Sequence, residues 1–186
     1  MGTRNLTMVV KGGKFKVAQY GQWDGYPSGN GLIVLNFLKT VDLNEFGKKV
    51  AALRWLTKKE IKDVDNTPDW PKVYPYLSRD AGAKVLSMIM THEGANKLVN
   101  MVSFAGDSLF CEWAYLIDLD NNTLEVYEGS NKTPITEGRF KSDDKKLDHD
   151  DSNVYHPIML VKTYCLNDLP TDEEFLAELE PKEDDE

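Results

Sequence analysis

Only two cysteines occur in the 186 residues, Cys111 and Cys165, and they form no Cys-x-x-Cys pair. That scarcity excludes a disulfide-held scaffold and argues against a zinc site, so both thiols are expected to be buried and reduced. Long apolar runs are also missing. Stretches such as Leu32 to Leu35 fall far short of the ~20 residues that cross a bilayer, and no charged-then-apolar export segment opens the chain. The expectation is a cytoplasmic protein with no membrane partner. A Lys- and Arg-rich face interleaved with aromatics is absent too, so direct nucleic-acid binding is not expected. His92-Glu93 is followed by Lys97 where a zinc protease needs a second histidine.

What is present is an ordinary globular composition, 41% hydrophobic and 28% charged, at a length suited to one domain. The net charge of −9 is unevenly spread. Residues 172–186 hold nine acids against one lysine, whereas the other 171 residues hold 22 acids against 21 bases. The chain therefore divides into an α+β domain over 1–170 and a short acidic helix and tail over 171–186. The run Pro181 to Glu186 reads as a solvated terminus. Its alternative reading is a phosphate-backbone mimic that inhibits a nucleic-acid enzyme.

Alternation in Arg4 to Val10 and Phe15 to Gly21 around Gly12-Gly13 predicts a β-hairpin. A two-residue turn sets Val10 opposite Phe15, Met8 opposite Val17 and Arg4 opposite Gly21, which puts Arg4 on an apolar face in need of a partner. Asp24 is the nearest acid. The run Gly31 to Leu38 is read as a buried helix, Asp42 as the N-cap of a helix to Trp55, and Thr57 with Glu60 as a capping box. Asp65 to Pro75 reads as a loop, and Asp80 to Met90 and Ala95 to Met101 as helices. A second hairpin, Phe110 to Leu119 and Thr123 to Glu128, is apolar on both faces and belongs near the sheet centre, with Leu119 opposite Leu124 and Ile117 opposite Val126. Asp143, Asp144, Asp148, Asp150 and Asp151 with His149 mark an exposed loop. Tyr155 to Leu166 resumes a strand, and Thr171 with Glu174 caps a last helix.

Chemistry concentrates in Gln22-Trp23-Asp24-Gly25-Tyr26-Pro27-Ser28-Gly29-Asn30-Gly31, between a strand and a helix start. The glycines allow close backbone approach, Ser28 or Asn30 can cap the helix, and its first N–H groups suit an anion. Trp23 and Tyr26 offer flat faces, Arg4 a bidentate donor and Asp24 an acceptor or base. A structural alternative stands beside this: Trp23 and Tyr26 as core anchors, Asp24 tying down Arg4, and the glycines shaping a tight connection. Neither Gly129 to Thr133 nor Asp118 to Asn122 meets the spacing of a phosphate loop or a calcium loop. No metal or cofactor is expected.

Gly2-Thr3-Arg4 followed by Trp23-Asp24-Gly25-Tyr26-Pro27-Ser28-Gly29 resembles the opening of an uncharacterised group of phage and prophage proteins with a G-T-R start and a W-D-G-Y signature. The match covers about the first fifth of the chain. It implies a small virus-linked accessory protein, concerned with host takeover or defeat of a bacterial defence. The order hairpin, helices, central hairpin is in turn similar to the layered arrangement of N-terminal-nucleophile hydrolases. Those enzymes need a terminal Cys, Ser or Thr, whereas loss of Met1 exposes Gly2 and leaves Thr3 one residue inside. The expected fold is thus α+β, antiparallel hairpins packed with helices. The expected function is non-enzymatic binding of a small anionic or nucleotide ligand, or of a host protein, through Arg4, Gln22, Trp23, Asp24, Tyr26, Ser28, Gly29 and Asn30. The alternative is an amide or phosphoester hydrolase using Asp24 with Arg4.

Overall fold

The computed structural model describes residues 2–142 and 154–180. It is an α+β fold built on a mixed five-stranded sheet in the order β2-β1-β5-β6-β7. The strands are β1 (Asn5–Lys11), β2 (Lys14–Gly21), β5 (Trp113–Asp118), β6 (Thr123–Glu128) and β7 (Met159–Cys165). Both expected hairpins form, and β1 joins β5 in parallel between them. Gly12 and Gly13 adopt positive φ of 62° and 68°, and their N–H groups donate to the Asp120 carboxylate at 2.9 and 2.8 Å. The turn of the first hairpin is thereby fixed to the turn of the second.

Register departs from expectation in two instructive ways. A bulge between Val9 and Val10 sets Val9 opposite Val17 and Met8 opposite Ala18, so Asn5, rather than Arg4, faces Gly21. In the second hairpin Ile117 faces Leu124 and Tyr115 faces Val126, a shift of two residues that preserves which side each chain faces. The longer turn is held by Asp118, whose carboxylate accepts from the Asp120 and Asn121 N–H groups and from the Asn121 amide and Arg139. Burial opposes ionisation of Asp118, but these donors hold its pKa below the ordinary value.

Each sheet face covers its own core. On one, Val9, Val17, Tyr115, Ile117 and Leu124 pack on the helices α1 (Leu32–Thr40), α2 (Leu43–Ala52), α5 (Val85–Thr91) and α6 (Asp172–Leu179). On the other, Leu6, Met8, Val10, Ala114 and Leu116 pack under loop residues Ala105, Cys111 and Ile158. Two short helices, α3 (Lys58–Asp65) and α4 (Trp70–Val73), lie in the connection from α2 to α5. Asp42 caps α2, and the capping boxes Thr57/Glu60 and Thr171/Glu174 both form. Phe175 of α6 is fully buried in the helical core.

The second half of the connection is less helical than expected. α2 stops at Ala52 because Leu53 turns extended, and β3 (Arg54–Trp55) pairs in parallel with β4 (Lys97–Leu98) where a helix over Ala95 to Met101 was predicted. Glu60 gathers Arg54 and Lys97 across that pair at 2.6 and 3.0 Å. The helix predicted from Asp80 begins only at Val85, after a single 3-10 turn over Gly82–Lys84. Gly82 has φ 48°, and a Cβ there would lie 2.5 Å from the Asn30 Oδ1. The predicted strand from Tyr155 starts at Met159, and α4 interrupts the expected loop. The stretch read as an exposed acidic loop, at residues 143–153, and the one read as a solvated terminus, at residues 181–186, lie outside the described residues. Among the described residues, no helix is long and apolar enough to cross a membrane.

Candidate functional site

Beyond β2 the chain is tied down before it reaches α1. The Gly25 N–H donates to the Thr3 carbonyl at 3.0 Å, and the Asn5 amide donates to the Trp23 carbonyl at 3.2 Å. A Cβ on Gly2 would lie 2.2 Å from the Trp23 ring, so the opening glycine is packed flat against the indole. The Gly2-Thr3 start and the Trp23–Gly25 run are thus in direct contact, with Asn5 beside them and without the Arg4 side chain. From the sheet centre the buried Tyr115 hydroxyl donates to the Gly25 carbonyl at 2.8 Å, and burial raises the pKa of that phenol so that it stays a donor.

Asn30 is the hub of the loop. Only 5% exposed, its amide donates to the Trp23 and Asp24 carbonyls, both at 2.8 Å, while its Oδ1 accepts from the Ala83 N–H at 2.6 Å. It does not cap the helix. Instead Pro27–Gly31 forms one wide π-helical turn running into α1, and Asp24 takes a left-handed φ of 52° to enter it. The backbone donors expected to face a ligand are consumed internally: Gly29 and Gly31 donate to the Tyr26 carbonyl and Asn30 to the Asp24 carbonyl. Ser28 donates through both its N–H and its hydroxyl to one oxygen of Glu180, at 3.3 and 3.2 Å.

The glycines also serve the chain itself. A Cβ on Gly29 would sit 2.3 Å from the Asp24 carbonyl oxygen, one on Gly25 2.8 Å from the Thr3 carbonyl oxygen, and one on Gly31 3.0 Å from the Tyr115 hydroxyl. Their small size is required by protein packing.

The expected Arg4–Asp24 pair does not form. Strand parity does carry Arg4 to the face of Leu6 and Met8, but that face is the loop-covered one. There its guanidinium lies 4.6 Å from the centre of the Phe110 ring and its Nε 3.5 Å from Glu112. Asp24 stands beside α1, on the helical side. The pairing that a hydrolase reading requires is therefore missing. Gln22 is likewise turned aside, its side-chain oxygen accepting from the Tyr20 hydroxyl at 2.6 Å. Cys111 is buried, which raises its thiol pKa, whereas Cys165 is exposed, contrary to expectation, because it lies on the outer strand.

Trp23, Asp24, Tyr26, Ser28, Gly29 and Asn30 line one cleft of about 650 Å³. Trp23 and Tyr26 stand on it 48% and 51% exposed. The indole is not loose, since its Nε1 donates to Asp80 at 2.9 Å. The opposite wall comes from the turn before α5, with Arg79, Asp80 and Lys84, and the floor from α1 with Leu32, Ile33 and Asn36. Sequence reasoning missed this wall because Arg79 and Lys84 lie some fifty residues from the loop, Lys84 in a stretch read as an ordinary helix and Arg79 just before it. Among the described residues neither cation has an ion-pair partner within 4 Å. No group of three His, Cys, Asp or Glu side chains among them could hold a metal ion.

Comparisons with protein-family models, with curated proteins and with solved structures found no match. The cleft's geometry is thus the ground on which a function can be argued.

Proposed function

We propose that the protein is a non-enzymatic binding protein whose Trp23–Tyr26 cleft takes a small planar ligand bearing an anionic group, of the nucleotide class. The observation that carries this reading is the pair of half-exposed aromatic side chains on a cleft that also holds two cations without ion-pair partners among the described residues. Exposed aromatics that are held in place offer stacking at little entropic cost, and a base stacked on one is worth ~1 to 3 kcal/mol. Arg79 and Lys84 suit a phosphate, and Asp24, whose carboxylate makes no hydrogen bond among the described residues, suits the amino donors of a base. The balance of two cations with Asp24 and Asp80 favours a ligand with both donors and negative charge over a bare anion.

Binding without chemistry is supported by what the cleft does with its hydroxyl. The Ser28 hydroxyl is held by the Glu180 carboxylate, and neither histidine nor cysteine lines the cleft among the described residues, so it carries no Ser–His or Cys–His pair there. The accessory role implied by the opening resemblance would then be sequestration of a nucleotide.

Calorimetric titration with the four ribonucleoside monophosphates tests the reading. At least one is expected to bind, with affinity reduced about tenfold or more in Trp23→Ala and in Arg79→Ala, each measured well below its own thermal midpoint. Absence of binding by all four, or binding indifferent to both substitutions, would overturn it.

A further inference from the structure

A second cleft, of about 370 Å³, opens on the far side of the Arg79–Asp80 turn. Its walls include Tyr20, Trp70, Pro71, Leu77, Val99 and Met101, so it is more apolar than the first. Arg79 and Asp80 line both. The ridge between them is fixed: the Gln22 N–H donates to the Arg79 carbonyl at 2.9 Å, and the Trp23 indole holds the Asp80 carboxylate at 2.9 Å. Each cleft lies within the ~300 to 1,000 Å³ of small-molecule sites, and each presents a tryptophan.

Resting on the proposed nucleotide site, we infer that the two clefts form one bipartite site for a ligand with two planar groups joined through phosphate, a dinucleotide. One base would stack at Trp23 and Tyr26, the other would enter the Trp70 cleft, and the linking phosphodiester would cross the ridge at Arg79. A guanidinium suits that position because its planar fork matches two phosphate oxygens. The acids fit the same arrangement. At the ridge Asp80 keeps its charge and accepts from the indole through Oδ1, Arg79 is exposed beside it for the phosphate, and Asp24 stands apart in the first cleft where a base edge can donate to it. The chemistry of the two halves differs: the first cleft has polar groups to select a base, and the second offers apolar surface tolerant of any base.

The test compares guanosine monophosphate with the linear dinucleotide GpG, by calorimetry on the full chain and on Trp70→Ala and Val99→Trp. The first variant removes the aromatic wall and the second fills the cleft, so either serves if the other fails to fold. GpG is expected to bind the parent at least tenfold more tightly than the mononucleotide. Both variants should bring it to within about threefold of the mononucleotide, whose own affinity stays unchanged. Equal affinity of the two ligands for the parent, or an advantage that survives both variants, overturns the bipartite site while leaving the Trp23 cleft standing. Failure of both ligands to bind overturns the bipartite site, and failure of all four ribonucleoside monophosphates overturns the Trp23 cleft as well.

Discussion

Replacing Asn30 by Ala removes three hydrogen bonds, but their losses are unequal. The Trp23 carbonyl keeps the Asn5 amide and the Asp24 carbonyl keeps the Asn30 N–H at 2.7 Å, so neither is orphaned. The Ala83 N–H is different. Ala83 is fully buried, and Asn30 Oδ1 is the acceptor that satisfies it. An orphaned buried donor costs ~1 to 3 kcal/mol and each lost bond with surviving partners ~0.5 to 1.5, so a destabilisation of about 3 kcal/mol is expected. With a urea dependence of ~2 kcal/mol per molar, the midpoint of urea unfolding should fall by about 1.5 M without change of slope. Asn30→Asp keeps the acceptor for Ala83 but sets a carboxylate against two carbonyl oxygens, and should be no better than Ala. A midpoint shift under about 0.3 M for Asn30→Ala would refute the view that Asn30 joins the Trp23 loop to the turn before α5.

Gly29→Val should lower the thermal midpoint by many degrees or prevent folding, because its Cβ meets the Asp24 carbonyl at 2.3 Å; an intact fold in circular dichroism would contradict this. Cys165 should react with a thiol reagent in the native protein at one equivalent, and Cys111 only after denaturant is added. Stability held by Asp118 follows the sign of a depressed carboxyl pKa: it is present above the unfolded value of 3.8 and is lost as pH falls through the lower folded value. Urea midpoints taken from about pH 7 to pH 2 should therefore drop at the acid end, and Asp118→Asn should flatten that limb.

Local chemistry made much of this legible in advance. Caps at Asp42, Thr57 and Thr171 depend on residues three apart, and the faces of the second hairpin follow from alternation, which a register shift of two leaves intact, whereas in the first the bulge carries Val17 to the other face of the sheet from Met8. The bulge at Val9 carried no such local mark. Neither did the parallel pairing of β3 with β4, which depends on Glu60 meeting Lys97 across the fold. The misplaced Arg4 has a specific cause. Parity says which side of a strand a residue takes, but with both sides of β1 buried it does not say which side the acid occupies. In the cleft, Trp23, Tyr26, Asp24, Ser28, Gly29 and Asn30 were visible as a dense local run, whereas the cations Arg79 and Lys84 are brought to it by long-range bonds from Gln22 to Arg79, from Trp23 to Asp80 and from Ala83 to Asn30.

The central claim is that the Trp23–Tyr26 cleft is where this protein binds its ligand, and amide and indole chemical shifts report on it directly. Titrating isotope-labelled protein with each of the four ribonucleoside monophosphates should, for at least one of them, move the Trp23 indole signal and the amides of Tyr26, Arg79, Ala81 and Lys84, leaving β6 and α3 unmoved. Saturating amounts of all four that shift none of these, or that shift residues remote from the cleft instead, would contradict the account.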